Sequence, residues 1–265
     1  MGPRTPHRVV CLSAEAADWL YRLGTWDLVV GVTAFFEHPG GAPQKPRVAG
    51  FSTGRSEEIT ALNPDLVITF SDVQAAIAAE LLRRGVPVFG TNQRTLAEIE
   101  TTLAMLGKIV DREAEATRLL DQFQRELAPV EDVKIRPRVY FEEWNEPLIS
   151  GIAWVSELIE RAGGTDIFAE LRDKKAASER KVAPEEVMRR DPEVIFASWC
   201  GRPVQKEEIR TRPNWEKLTA VEKGQVWEIP SEDILQPGFR LIKGFEAMKS
   251  HLQSIAGRLR GKSEI

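Results

Sequence analysis

Few residues of this chain are of a type and spacing that could do covalent chemistry. Its three histidines, His7, His38 and His251, are far apart, in the N-terminal tail, an early loop and the last helical stretch. None shares zinc-ligand spacing with a cysteine. The two cysteines, Cys11 and Cys200, fall in opposite halves of the chain and read as small buried hydrophobes rather than a disulfide. Cys200 follows an apolar run and precedes Gly201, a place where a nucleophile could sit, but no histidine is placed to activate it. There is no Gly-Lys-Ser/Thr phosphate loop and no Gly-x-Ser-x-Gly elbow. The expectation is a protein with no catalytic residues, no metal site and no cofactor of its own.

What remains is chemistry of contact. Aromatic and acidic residues recur just after apolar runs. Phe35, Phe36 and Phe51 follow early runs, Phe70 and Ser71 end the run 65–70, and Glu142 to Asn145 follow 138–141. Ser198 and Trp199 follow 193–197, and 231–233 follow 226–230. In a parallel α/β sheet, ligands bind beyond the carboxyl ends of the strands, so these positions are the candidates for a binding wall. A large, flat, partly apolar ligand would bury well there, with side-chain amides bonded to Glu or Asp.

The elements that must position them are legible from the pattern. Apolar runs at 8–12, 28–32, 65–70, 86–89, 138–141, 193–197 and 226–229 alternate with helical spacings at 16–23, 73–84 and 154–162. A final helix spans about 239–259. Strands that are apolar throughout and alternate with helices indicate parallel sheets covered on both faces. The stretch 95–129 reads as almost continuously helical, with Asp111 able to cap a second segment. Its later part is read as a rigid connector. The expected organisation is an N-terminal α/β lobe at 1–106, a connecting helix at 107–130 and a C-terminal α/β lobe at 131–265. A chain of 265 residues suits two such units.

An internal recurrence supports two similar lobes. Glu57-Glu58-Ile59 leads through Asn63-Pro64-Asp65 into one buried run, and Glu185-Glu186-Val187 leads through Asp191-Pro192-Glu193 into another. Ser56 is placed as an N-cap and Pro184 as a first-turn proline. Paired glutamates suit the positive end of a helix dipole, and the Pro breaks the helix and feeds the strand. Recurrence at corresponding places in two halves is the mark of duplicated units.

Composition excludes other classes. The net charge is −4 with Lys and Arg dispersed, which argues against dense phosphate neutralisation and so against nucleic acid. No run of about 18 apolar residues is present. The N-terminus, Met-Gly-Pro-Arg-Thr-Pro-His, has no apolar signal core, so the reading leaves open a mature form with a new start or a cytoplasmic protein.

These residues resemble the periplasmic substrate-binding proteins of ABC importers for cobalamin and ferric siderophores. The likeness runs through 8–13, Leu23-Gly24, 29–32, 57–67 and 82–88, then Ser150-Gly151, 162–164, 182–187 and 191–195. The stretches 142–151, 198–201 and 234–238 look most like cobalamin-binding members. The resemblance implies two lobes with central parallel sheets joined by a single long helix, with the ligand held between them. It implies that Phe35, Phe51, Phe70 and Trp199 line the pocket, with Trp144 and Asp233. It implies that Glu57 and Glu185 dock on arginines of an ABC permease dimer in the membrane, and that the protein is a periplasmic or cell-envelope monomer. Glu37-His38-Pro39 stands where cobalamin binders often have Asp-Tyr-Pro, and Phe replaces Trp or Tyr at several pocket positions. That leaves room for another corrinoid, a haem or a siderophore, with His38 able to ligate a bound cobalt or iron. A cytoplasmic corrinoid carrier or sensor of the same fold is the remaining alternative.

Overall fold

The computed structural model describes residues 5–50 and 54–263. Its contacts divide the chain into two compact units, Met1–Gln93 with Ala97–Gln122, and Arg94–Leu96 with Phe123–Ile265.

In the first unit, β1 (Val9–Cys11), β2 (Val29–Thr33), β3 (Arg47–Ala49), β4 (Leu66–Phe70) and β5 (Val88–Thr91) pair in the order β3-β2-β1-β4-β5, every pair parallel. Helices α1 (Ala14–Arg22), α2 (Ser56–Ala61) and α3 (Ala75–Arg83) alternate with the strands. Central β1 is wholly buried, because a strand with neighbours on both sides and helices on both faces has no wet side. Val10, Leu12, Val67, Ile59, Ile77 and Leu81 form the core beside it. Helix α1 buries Ala16, Ala17, Trp19 and Leu20, and Gly24 at φ 71° turns the chain after its end. Ser13 has the extended backbone of an N-cap but makes no side-chain cap bond. Ser56, expected as a cap, is the first residue inside α2 and spends its buried hydroxyl on Glu80 instead.

The helical stretch after β5 is two helices, α4 (Leu96–Ile109) and α5 (Glu113–Glu126), the second lying within the expected connector at 107–130. Asp111 takes a left-handed φ of 56°, and the Arg112 N–H bonds the Gly107 carbonyl at 2.7 Å. Gly107 is needed for this break, since a Cβ there would sit 2.4 Å from that of Ala116. Residues Arg94–Leu96 pack with the second unit, where the Arg94 carbonyl accepts from Trp154 N and Leu96 N donates to Glu157.

The second unit contains β6 (Arg138–Asn145), β7 (Leu148–Ser150), α6 (Ala153–Arg161), β8 (Thr165–Asp166), α7 (Pro184–Arg190) and β9 (Val194–Ala197). It continues with α8 (Lys206–Arg210), α9 (Thr219–Glu222), β10 (Val226–Glu228), α10 (Ser231–Ile234) and α11 (Leu241–Ser263). The sheet order is β10-β9-β6-β7, with β8 also paired to β6. All pairs are parallel except β6 with β7. The antiparallel β7 falls outside the alternation of strand and helix read from the sequence.

The duplicated segment has a shared mechanical role that the sequence pattern only half disclosed. Asn63 and Asp191 end α2 and α7 at φ 46° and 41°. The acid after each proline then accepts the backbone N–H of an arginine that opens the neighbouring strand. Asp65 takes Arg8 N at 2.9 Å, and Glu193 takes Arg138 N at 3.0 Å. Each arginine turns its guanidinium back onto carbonyls at the helix end: Arg8 onto Leu62 and Asn63, Arg138 onto Asp191. Orphan carbonyls at a helix C-terminus are good partners for a cation. The same lock therefore joins helix end to strand start in both units.

Candidate functional site

Each sheet has a place where the chain switches from building on one side of the first strand to building on the other. Such a switch point is where an open α/β sheet leaves a crevice at its carboxyl edge. It falls between β1 and β4 in the first unit and between β6 and β9 in the second.

At the first switch point, buried Gln74 ties the two strand ends together. Its Nε2 donates to the Leu12 carbonyl at 2.9 Å and its Oε1 accepts Phe70 N at 2.9 Å. Phe70 is thereby fixed at the strand end and mostly covered. Glu15, in the first turn of α1, is buried as well, and burial raises its carboxyl to about 7. Phe35, just past β2, is 49% exposed. Phe51 lies outside the described residues.

His38, expected as a candidate axial ligand, has one ring nitrogen engaged within the protein. Its Nε2 accepts the Lys45 backbone N–H at 2.9 Å, and its ring packs edge-on to Trp26 and Phe36. Desolvation, with the nearby charges of Arg47 and Lys45, lowers its pKa, so it serves as a neutral acceptor that closes the 38–45 loop. Among the described residues no group of three or more His, Cys, Asp or Glu could hold a metal ion.

At the second switch point, consecutive acids at the end of β6 each hold an arginine. Glu142, with no exposed surface, receives Arg212 through both carboxylate oxygens and the Trp199 indole N–H at 3.0 Å. The Arg212 guanidinium lies 4.5 Å over the Trp215 ring. Glu143 receives Arg180 at 2.7 and 2.9 Å and also the Ile152 N–H. These acids are therefore spent within the protein, not offered to ligand amides as the sequence suggested. Trp199 is itself 1% exposed and belongs to the core, with the Arg202 guanidinium over its ring at 4.7 Å. Trp144 is half-buried, its indole N–H on the Glu146 carbonyl. Asp233, in α10, accepts Arg240 Nε at 2.8 Å. Cys200 is free, and desolvation with the Glu143 charge raises its thiol, the reverse of what a nucleophilic thiolate requires.

Sequence reasoning missed Gln74, Arg180, Arg202 and Arg212. Arg212 is 70 residues from its partner Glu142, so no local pattern could join them. Arg202 was accessible, three residues after Trp199 and next to a glycine.

Glu57 and Glu185 both occupy first turns of their helices and both are exposed. Glu57 pairs with Arg84, and hydrogen bonds to a backbone amide and to Arg84 hold its carboxyl below the usual range. Beside Glu185, Glu186 is clamped by Arg189 and Arg190 and lowered to about 2. A hollow of about 610 Å³ lies at edge strand β3 between Val48, Arg55, Glu58, Ile77 and Glu80.

The family model described as periplasmic binding protein matches residues 9–232. The chain belongs to the periplasmic binding protein family. Among the relatives of this periplasmic binding protein, the vitamin B12-binding protein of Vibrio parahaemolyticus serotype O3:K6 is 26% identical over 254 residues, 94% of this chain and 90% of its own. The solved periplasmic vitamin B12 binding protein BtuF of Vibrio cholerae superposes with a TM-score of 0.73 at 25% identity, covering 96% and 99% of the two chains. The periplasmic heme-binding protein RhuT of Roseiflexus sp. RS-1 shares the fold at TM-score 0.80 and 19% identity, over 94% and 99%. The parallel-sheet α/β units are those of this substrate-binding, transport-associated family. No helix of the described residues is long and apolar enough to cross a membrane.

Two outcomes follow from the buried charges. Arg212→Met strands the Glu142 carboxylate and costs about 3–5 kcal/mol in urea unfolding; adding Glu142→Gln recovers part of the loss. Glu15 keeps its proton in the folded protein to about 7, whereas the unfolded chain releases it near 4.5. The folded state thus binds more protons across that window, and stability falls as pH rises through it, by roughly 3 kcal/mol. In Glu15→Gln that fall disappears, read as unfolding free energy from pH 4.5 to 8.

Proposed function

We propose that this protein captures cobalamin or a related corrinoid through residues at strand carboxyl ends and delivers it to an ABC permease dimer, without altering it chemically. The observation that carries this reading is the likeness to vitamin B12-binding proteins over nearly the full length of both chains. The geometry is in keeping with it. Phe35 and Trp144 present aromatic surface at strand ends, and ligand pockets of this kind are mostly apolar with a few placed polar groups. Phe51, Phe70, Trp199 and Asp233 are the other proposed ligand residues, Trp199 acting through Arg202 above it. The protein works as a monomer in the periplasm or cell envelope.

Glu57 and Glu185 are the proposed docking acids. Both stand at helix starts in the duplicated segment, and an exposed pair of like charges sets register and speeds encounter with a basic partner. A haem or ferric-siderophore ligand is the second reading, favoured by the backbone likeness to a heme-binding protein.

Calorimetric titration of the purified protein with cyanocobalamin, haemin and a ferric hydroxamate separates the ligands. One-to-one, sub-micromolar binding of cyanocobalamin alone is expected; binding of haemin or the hydroxamate in its place overturns the corrinoid reading. In proteoliposomes carrying the cognate transporter, Glu57→Arg/Glu185→Arg should abolish stimulation of ATPase while leaving ligand affinity within about twofold. Full stimulation by that variant would remove the docking role.

A further inference from the structure

Arg202 occupies the turn after β9, next to Gly201 at φ 76°. Its guanidinium lies 4.7 Å from the Trp199 ring centroid and 5.8 Å from that of Trp144, on the end of β6. Two rings, one on β6 and one just past the end of adjacent β9, therefore flank one cation at the second switch point. Stacking engages the face of a guanidinium and leaves its N–H edge for acceptors. The acid beside that edge is Glu208, at 3.4 and 3.5 Å, longer than the 2.7–2.9 Å or so of a charge-assisted bond. Glu208 is itself held at 3.0 Å by Asn145. The strand-end acids that could neutralise Arg202 are already committed, Glu142 to Arg212 and Glu143 to Arg180. The Arg202 side chain remains 42% exposed. A ligand arriving here meets an oriented, incompletely paired guanidinium, not the bare indole of Trp199.

We propose that Arg202 recognises an anionic oxygen group of the ligand, and that this group is the phosphodiester of a complete corrinoid. The inference rests on the corrinoid reading and deepens it. A planar guanidinium matches the two free oxygens of a phosphodiester bidentately, a geometry that a corrin amide cannot repay with charge. The corrin itself then lies against the exposed part of Trp144. Arg202 becomes the residue that tells a corrinoid with its nucleotide loop from one without.

The test compares cyanocobalamin with dicyanocobinamide, which lacks the phosphodiester, on the wild type, Arg202→Gln and Arg202→Lys, with haemin as a carboxylate control. Wild type should bind cyanocobalamin roughly tenfold more tightly than cobinamide, the size expected of one hydrogen-bonded charge. Arg202→Gln should erase that preference by weakening cyanocobalamin alone, and Arg202→Lys should keep part of it. Equal weakening of both corrinoids, or of neither, overturns the role of Arg202 while leaving the corrinoid reading intact. A wild type that binds neither corrinoid, or haemin alone, overturns the reading and the phosphodiester assignment together.

Discussion

The Glu142 carboxylate is the constraint around which the second unit is built. Removing a carboxylate from water costs several kcal/mol, and only a partner of matched geometry offsets that. Arg212 provides the match through two carboxylate contacts, and the Trp199 indole N–H takes part of the remaining acceptor capacity. The consequence is positional. Trp199 is fixed by this bond, and Arg202 above it is held with it, so the edge of the proposed binding wall is set before any ligand arrives. Pre-organisation of this kind lowers the entropy lost on binding rather than adding contacts. Buried ion pairs are weak sources of net stability, so a positional role is the better account of why so costly a group stands there.

The first unit reaches the same end by neutral means. Gln74 bonds both strand ends with one amide, and Glu15 stays protonated to about 7 under burial. One sheet is thus fixed at its carboxyl edge by an ion pair and the other by an amide, on backbones that share the same lock from helix end to strand start. The arginines of that lock, Arg8 and Arg138, lie more than fifty residues from the acids they bond. Both units are in this way tied by long-range polar contacts at the amino end of the sheet as well as by apolar packing in its middle.

How much of this the sequence disclosed follows from the range of the interactions. Buried strands β1, β4 and β9 and helices α1 and α6 were legible because apolar periodicity is local. The duplicated Asn/Asp-Pro-acid joint was legible because its backbone demand is local too. Strand β3 was not, with only Val48 of its residues buried, nor was β7, which pairs antiparallel with β6 and so falls outside the alternation of strand and helix. The break between α4 and α5 was legible at Asp111, but the need for Gly107 there was not, because its closeness to Ala116 is a packing contact that periodicity does not register. At the binding wall, aromatic residues at strand ends were found by topology, but their exposure was not. Trp199 proved covered, its indole on Glu142 and its ring under Arg202, while Phe35 is 49% exposed.

The placement of the ligand at the strand ends is the claim on which the rest turns. Amide hydrogen exchange with and without saturating cyanocobalamin tests it directly. The account predicts protection concentrated at 70–74, 142–145 and 198–203, with the hollow beside β3 at 54–58 unchanged. Protection centred on 54–58 and 76–80, with the strand ends unaffected, would contradict it.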